Sequence, residues 1–261
     1  MIKLSNRLEA ISSFIDKKDI SLDVGCDHAL LDIYLSNKYN KKYYASDIRE
    51  SALNMARANI EKYRCNKVEI RCGSGLEVLN KEDDINTIII SGMGYMTILK
   101  ILKGIKNKKN IEKLVIQSNS NPEIIRKFLL ENGFYLDKEL LVKDKNIYYI
   151  ISSYKRGKKT YSKVDKEIGI FETNIEYLKL EIKRNKILLS IIPKKNILRR
   201  IKIKQRIKLL NKKINTKWKK FYKIELFLCK KLWIIILINS TICCTTITTC
   251  YIISVSACSS I

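Results

Sequence analysis

Histidine is almost absent from this sequence: among its 261 residues there is one, together with two prolines and nine glycines. A lone histidine, with no cysteine pair in CxxC spacing, excludes the usual zinc sites, and no metal is expected. The scarcity of proline and glycine favours long helices and strands over a turn-rich sandwich. The N-terminal segment MIKLSNRLEAISSFIDKK has no long apolar run and predicts no signal peptide, so we expect a cytoplasmic protein with reduced thiols.

Acidic side chains are also few relative to basic ones. The sequence has 26 Asp and Glu and 51 Lys and Arg, which gives a net charge of +25. Residues 161–231 alone carry 22 basic and 6 acidic side chains. Such an excess favours a polyanionic partner, either a nucleic acid or a membrane surface. An AT-rich coding bias would also enrich Lys, Ile and Asn, but it does not explain the concentration in one segment.

Short apolar runs alternate with helical patterns over residues 1–160, and a hairpin pattern closes this region. This order predicts an α/β domain with a doubly wound, mostly parallel sheet and an antiparallel edge. Ligands bind such sheets at the carboxyl ends of the strands. The predicted strands are 20–26, 41–47, 67–73, 85–92, 113–119, 135–143 and 147–154, and the predicted helices are 4–15, 29–38, 49–63, 95–105 and 122–132.

Long helical patterns replace the alternation after Val164 and predict a basic, coiled-coil helical domain over 161–231. A second helix is expected over 195–228, after a break at Pro193. One apolar face of the first helix is formed by Ile168, Phe171, Ile175, Leu178 and Ile182.

Residues 232–261 form an uncharged tail of low complexity, rich in Thr, Ser, Cys and Ile. A membrane anchor and a poorly packed, out-of-frame tail both fit this composition. The many hydroxyls favour the second, so no membrane partner is expected.

The segment LDVGCDHALL, residues 22–31, has the pattern of a nucleotide-binding loop. Asp23 ends a predicted strand, Gly25 permits close backbone approach, and the helix start offers free N–H groups. The GxGxxG fingerprint of dinucleotide sites is missing, which disfavours NAD. Asp47 ends the next strand, where it can accept both hydroxyls of a ribose or, alternatively, cap a helix. His28 is either a site residue or a capping residue.

The fourth predicted strand ends in Ser-Gly-Met-Gly-Tyr, residues 91–95. Its paired glycines leave room for a flat base, on which Tyr95 can stack unless it only caps the helix. The amides of Gln117 and Asn119, after the fifth strand, can hydrogen-bond a nucleobase edge. No nucleophile constellation supports hydrolysis.

The segments LSNRLEAISSFI, DVGCDHALL, ASDI, GSGLEVL, IIISGMG, LVIQSN and NGF resemble the TrmK family of bacterial tRNA (adenine-N1)-methyltransferases, over about residues 1–160. The resemblance implies a Rossmann-like class I domain that uses S-adenosyl-L-methionine (SAM), a C-terminal coiled coil, and adenine 22 of tRNA as the target. It assigns cofactor binding to Asp23, Gly25, His28, Asp47, Ser74, Gly75, Gly92 and Met93.

The sequence departs from the family pattern at three positions. Ser74 replaces the Asp of the GDGL loop, Tyr95 the last glycine of GMGG, and Ser118 the proline of QPN. Weaker contact to the cofactor adenine is the expected consequence of Ser74.

Direct methyl transfer is the expected mechanism, because adenine N1 has a free lone pair and needs no general base. Asp27 is the candidate catalytic residue, as its carboxylate would stabilise the cationic product. The basic helices would bind the tRNA backbone, and no protein partner is implied. Methylation of another RNA, and an idle tRNA- or membrane-binding scaffold, remain as alternatives.

Overall fold

A seven-stranded sheet lies at the centre of residues 2–216, the part of the chain that the computed structural model describes. Its strand order is β3-β2-β1-β4-β5-β7-β6, with β1 to β5 parallel and β7 antiparallel to both neighbours. The predicted doubly wound sheet with an antiparallel edge is therefore confirmed. The strands are β1 (Ser21–Val24), β2 (Tyr43–Asp47), β3 (Val68–Cys72), β4 (Thr87–Met93), β5 (Lys113–Ser118), β6 (Phe134–Asp144) and β7 (Ile147–Arg156).

The helices begin and end close to the predicted positions where local signals are strong. Ser5 caps the first helix, and Pro122 occupies the first turn of α5. The helix predicted over 95–105 stops earlier, because Gly104 turns the chain at φ +88°. The helices are α1 (Asn6–Ser12), α2 (Leu30–Tyr39), α3 (Glu50–Lys62), α4 (Tyr95–Ile101), α5 (Pro122–Glu131), α6 (Lys163–Glu167), α7 (Ile175–Ile191) and α8 (described over 197–216).

The core lies on both faces of the sheet, because successive residues of a strand point to opposite sides. In β4, Ile88 and Ile90 join the cluster that includes Ile98 of α4 and Leu129 of α5. Ile89, between them, joins the opposite cluster with residues of α1 and α2. This three-layer packing fixes the strand ends that form the site.

The single helix face predicted from Ile168 to Ile182 is wrong in its first part. Residues 168–174 are not helical, and they separate α6 from α7. Gly169 has φ +110°, and the Ile170 N–H donates to Oε2 of Glu139 at 2.6 Å, which draws the chain onto the sheet. Ile168 and Phe171 are buried there as core residues rather than on a helix surface.

The helical segment belongs to the same compact unit as the sheet, which ends at Lys213. Arg206 of α8 forms an ion pair with Glu123 of α5 at 3.3 Å. The predicted break at Pro193 is present, since α7 ends at Ile191. The domain boundary at residue 160 stays a prediction.

A second unit begins at Ile214, and only residues 214–216 of it, all helical, are described. The end of the helix predicted over 195–228 and the tail at 232–261 lie outside the described residues. Between residues 2 and 216, no helix has the length and apolarity needed to cross a bilayer.

Candidate active site

A cleft of about 950 Å³ opens at the carboxyl ends of β1, β2, β3 and β4. This is where the strand order reverses, between β1 and β4, and where ligands bind in such sheets. The candidate catalytic residue and all predicted cofactor residues line this one cleft: Asp23, Gly25, Asp27, His28, Asp47, Ser74, Gly75, Gly92 and Met93.

The loop after β1 is held in a conformation that requires glycine at its first position. Gly25 has φ +78°, and a Cβ there would lie 2.1 Å from Cε of Met93. The N–H groups of Gly25 and Cys26 both donate to the Ser46 carbonyl, at 2.7 and 2.9 Å. The loop is therefore fixed to β2, and α2 starts directly behind it at Leu30.

Asp47 lies buried at the end of β2 and binds Arg49. It accepts hydrogen bonds from the Arg49 backbone N–H at 2.9 Å and from Nε at 3.2 Å. Burial alone would raise the pKa of Asp47, but the hydrogen bonds from Arg49 outweigh it and hold the pKa below its usual value. An ionised acceptor thus stands at the position predicted for a ribose acid. Asp47 does not cap α3 in the usual way, because Arg49 is the N-cap residue and Asp47 accepts from the Arg49 N–H rather than from an N–H of the first helical turn.

Two further carboxyl groups are buried: that of Asp23, which lines the cleft, and that of Asp32. Burial raises the pKa of Asp23 to about 7, with the charge of Arg7 opposing and that of Asp47 adding to the rise. Asp32 of α2 is inaccessible, and neither of its oxygens has a hydrogen-bond partner among the described residues. Burial, reinforced by the charge of Asp23, raises its pKa well above the ordinary value. Nothing in the sequence indicated Asp32.

Asp27 and His28 lie at the mouth of the cleft, where both side chains are about half exposed. Nε2 of His28 is 3.3 Å from Oδ2 of Asp27, and Nη2 of Arg49 is 3.4 Å from its Oδ1. The His28 carbonyl accepts a hydrogen bond from Nδ2 of Asn59 at 2.9 Å, which ties the loop to α3. Asp27 is therefore accessible to a ligand in the cleft, and its catalytic role stays a prediction.

The three predicted substrate residues surround the loop after β4 instead of lining this cleft. Gln117 is fully buried, and the ring of Tyr95 packs against the core. Asn119 lines a different cavity and donates to the Gly92 carbonyl at 2.7 Å. Direct contact of these side chains with a base stays a prediction.

Two arginines of the site had no sequence signal. Arg7, from α1, donates to Oε1 of Gln117 at 3.0 Å and to Oγ of Ser91 at 3.4 Å. These partners lie 110 and 84 residues away, so only the tertiary fold reveals them. Arg49 lies two residues after Asp47, but its bridge from Asp47 to Asp27 depends on the adjacent β1 loop.

A second, larger cavity of about 1330 Å³ lies between α5, the segment after β7, α7 and α8. Its lining is predominantly basic. Among the described residues, no group of three or more metal-binding side chains occurs. The basic side chains of this cavity are Lys127, Lys158, Lys159, Lys163, Lys166, Arg184, Arg199, Lys202 and Arg206.

Comparison with known proteins places this geometry in a family. The model of the methyltransferase domain family matches residues 4–151. The tRNA (adenine(22)-N(1))-methyltransferase of Bacillus subtilis is 32% identical over 154 residues, which cover 58% of this chain but only 64% of that protein. A Mycoplasma genitalium protein with the provisional name of a tRNA methyltransferase is 32% identical over 165 residues, 60% of this chain and 72% of that one.

The solved structure of TrmK from M. capricolum, in complex with S-adenosylhomocysteine, matches with a TM-score of 0.72 and 29% identity. The match covers 81% of this chain and 98% of that one, so it extends beyond the sheet into the C-terminal helices. The chain therefore belongs to the methyltransferase domain family and, within it, to the TrmK family.

Proposed function

We propose that the protein transfers a methyl group from SAM to N1 of adenine 22 in tRNA. The observation that carries this proposal is the convergence of the four strand-end loops on one cleft whose β2 end carries a buried, ionised acid, Asp47. Support comes from the relatives, since the Bacillus protein bears the name of this activity and the M. capricolum protein binds S-adenosylhomocysteine.

The cleft residues fit this cofactor. Oδ1 of Asp23 is buried without a hydrogen-bond partner among the described residues, and Gly25 lets the backbone approach a ligand closely. Asp47 would accept the two ribose hydroxyls in place of its bonds to Arg49. Ser74 and Gly75 would lie on the adenine side. SAM supplies a methyl group on a sulfonium centre, and the carboxylates of the cleft favour that positive charge.

The reaction requires positioning more than proton transfer. Adenine N1 carries a lone pair and no proton, so no general base has to act. Asp27, at the mouth of the cleft, would stabilise the positive charge that the base acquires. The glycines at 92 and 94 leave space for a flat ring, which folded tRNA must first expose. Orientation of two reactants can supply roughly 7–11 kcal/mol of the barrier.

The basic cavity is the proposed site for the tRNA backbone. Lys158, Lys159, Lys163 and Lys166 follow β7 in sequence, and Lys202 adds a charge from α8. Contacts of lysine with phosphate give affinity without sequence choice and release counterions. The basic sequence continues to residue 231, beyond the described part. We expect the protein to act in the cytoplasm, together with its tRNA substrate.

The test incubates the full chain with methyl-labelled SAM and unmodified bacterial tRNA, and the product is digested to nucleosides. Label in 1-methyladenosine, lost when adenine 22 is replaced by guanosine, is the expected result. Label in another nucleoside, or at another adenine, would assign a different RNA position. S-adenosylhomocysteine binding without any transfer would overturn the tRNA assignment, and the absence of binding would support the idle scaffold.

A matched pair of variants separates tRNA docking from catalysis. Lys159→Ala with Lys163→Ala should weaken tRNA binding and reduce the slope of log affinity against log salt by up to about 2. Arg57→Ala on α3, where Arg57 pairs with Glu50, removes a charge outside the cavity and serves as the control. An unchanged slope in the double variant would contradict this docking site.

A further inference from the structure

Two side chains, Gln117 of β5 and Asn119 just after it, hold the N–H and the carbonyl of one backbone residue, Gly92, where β4 meets the cleft. The Gly92 N–H donates to Oε1 of Gln117 at 3.0 Å, and its carbonyl accepts from Nδ2 of Asn119 at 2.7 Å. Nε2 of Gln117 donates to Oδ1 of Asn119 at 3.0 Å, which closes a ring of three hydrogen bonds. Gly92 has φ +77° and lies at a β-bulge, where the regular hydrogen-bond pattern of the sheet is interrupted. The ring of hydrogen bonds therefore holds a segment that regular strand pairing does not hold.

Arg7 determines which way the Gln117 amide faces. Its Nη1 donates to the same Oε1 that receives the Gly92 N–H, at 3.0 Å. A flipped amide would present NH₂ to two donors, so the guanidinium permits only the orientation that bonds Gly92. Nη1 also lies 3.4 Å from Oγ of Ser91, the residue before Gly92.

We propose that Arg7 is a positioning residue for methyl transfer. It acts through Gln117 and Asn119 on residues 91–94, which we call the Gly92 loop. This inference rests on the proposed function, in which that loop faces the target base. Gln117 then shapes the loop from its buried side and does not read the edge of the base, and Asn119 holds the Gly92 carbonyl.

The burial of Gln117 supports its role behind the loop. Gln117 is 0% exposed, and both ends of its amide are bonded within the protein. Asn119 uses its amide N–H toward the Gly92 carbonyl. A base contact by Gln117 would therefore require breaking the ring that holds the loop, whereas the exposed Asn119 keeps one N–H and one lone pair outside the ring.

A direct role in cofactor binding is the competing interpretation, because Arg7 also lines the cleft. The two roles differ in what they change. A cofactor ligand sets the affinity for SAM, whereas a residue that orients the loop sets the rate of transfer once both substrates are bound. A displacement of about 1 Å at a reacting centre can cost roughly a hundredfold in rate.

The first experiment measures amide hydrogen exchange of the full-length protein without substrates, at the Gly92 N–H. Arg7→Ala and Gln117→Ala should each accelerate exchange there by about tenfold or more. Arg57→Ala, the charge-matched control on α3, should not. Unchanged exchange at Gly92 in Arg7→Ala overturns the inference whatever the enzyme methylates.

The second experiment measures kcat with tRNA and the Kd for S-adenosylhomocysteine in a double-variant cycle. Arg7→Ala and Asn119→Ala should each lower kcat by about ten- to a hundredfold while Kd changes less than about threefold. Their combination should be no slower than the slower single variant, because both act on one loop. The inference is overturned if the kcat losses of the two single variants multiply in the double variant. It is also overturned if Arg7→Ala raises Kd tenfold and leaves kcat unchanged. A wild type that labels no tRNA refutes the proposed function instead, and the exchange result still stands.

Discussion

Replacing Glu139 with glutamine should lower the free energy of unfolding by about 3–5 kcal/mol, the usual cost of breaking a buried ion pair. Oε1 of Glu139 accepts from Nη2 of Arg126 at 2.6 Å and from Oγ of Ser152 at 2.7 Å. Oε2 accepts from the Ile170 N–H at 2.6 Å. A glutamine side chain has only one oxygen, so in either orientation its NH₂ group faces a hydrogen-bond donor. The substitution also removes the negative charge that pairs with Arg126, which is only 1% exposed.

Thermal and urea unfolding of the full chain, followed by far-UV circular dichroism, measure this loss. At about 2–4 °C per kcal/mol for a unit of this size, the midpoint should fall by about 6–20 °C. Glu131→Gln is the matched control, because its pair with Lys127 is exposed and 4.0 Å long, and it should cost less than about 1 kcal/mol. Equal stability of the two variants would refute the claim that Glu139 joins α5, β6 and the segment before α7.

Three shorter predictions concern the cleft. The pKa of Asp23 is about 7 in the folded state and near 3.8 in the unfolded state, so the folded state binds this proton more tightly. The free energy of unfolding of the wild type therefore falls as pH rises from about 4 to 7. Asp23→Asn should therefore gain up to about 4 kcal/mol relative to the wild type across that range in urea unfolding, and a pH-independent difference would contradict it. Asp47→Asn should weaken S-adenosylhomocysteine binding by about ten- to a hundredfold in calorimetry, whereas Asp137→Asn, whose partner Lys155 lies outside the cleft, should not. Gly25→Ala should reduce the same affinity, because its Cβ displaces Met93 and its φ is strained; unchanged binding would show that the loop adapts.

The sheet could be predicted from the sequence because each of its strands is a short, bounded apolar run. The runs at 85–92 and 113–119, for example, became β4 and β5 with shifts of a few residues. Periodicity failed at residues 168–174, where Ile168 and Phe171 suit a helix face but contact the sheet. The cause is the long-range bond from Ile170 to Glu139, 31 residues earlier, which no local pattern contains.

The grouping of the predicted cofactor residues in one cleft could also be predicted, because Asp23, Gly25, Asp47 and Gly92 each lie at or just after the carboxyl end of a strand. The arrangement of the predicted substrate residues was less predictable. Sequence places Gln117 at a strand end, but it does not say whether the amide faces a ligand or a neighbouring backbone. That outcome depends on Arg7, which reaches the ring from an N-terminal helix.

The two cavities differ in their charge balance, and hydrogen bonds between the ends of β4 and β5 join them. Side chains of both signs line the first, where Asp23, Asp27 and Asp47 lie among two arginines and three lysines. Nine basic and four acidic side chains line the second, an excess that suits a polyanion. Gly92 lines the first, Asn119 lines the second, and the bond between them is 2.7 Å long. In the proposed function, SAM would bind in the first cavity and the tRNA backbone would lie along the second. In the proposed function the Gly92 loop lies where the two sides meet, so we expect its geometry to affect the rate of transfer.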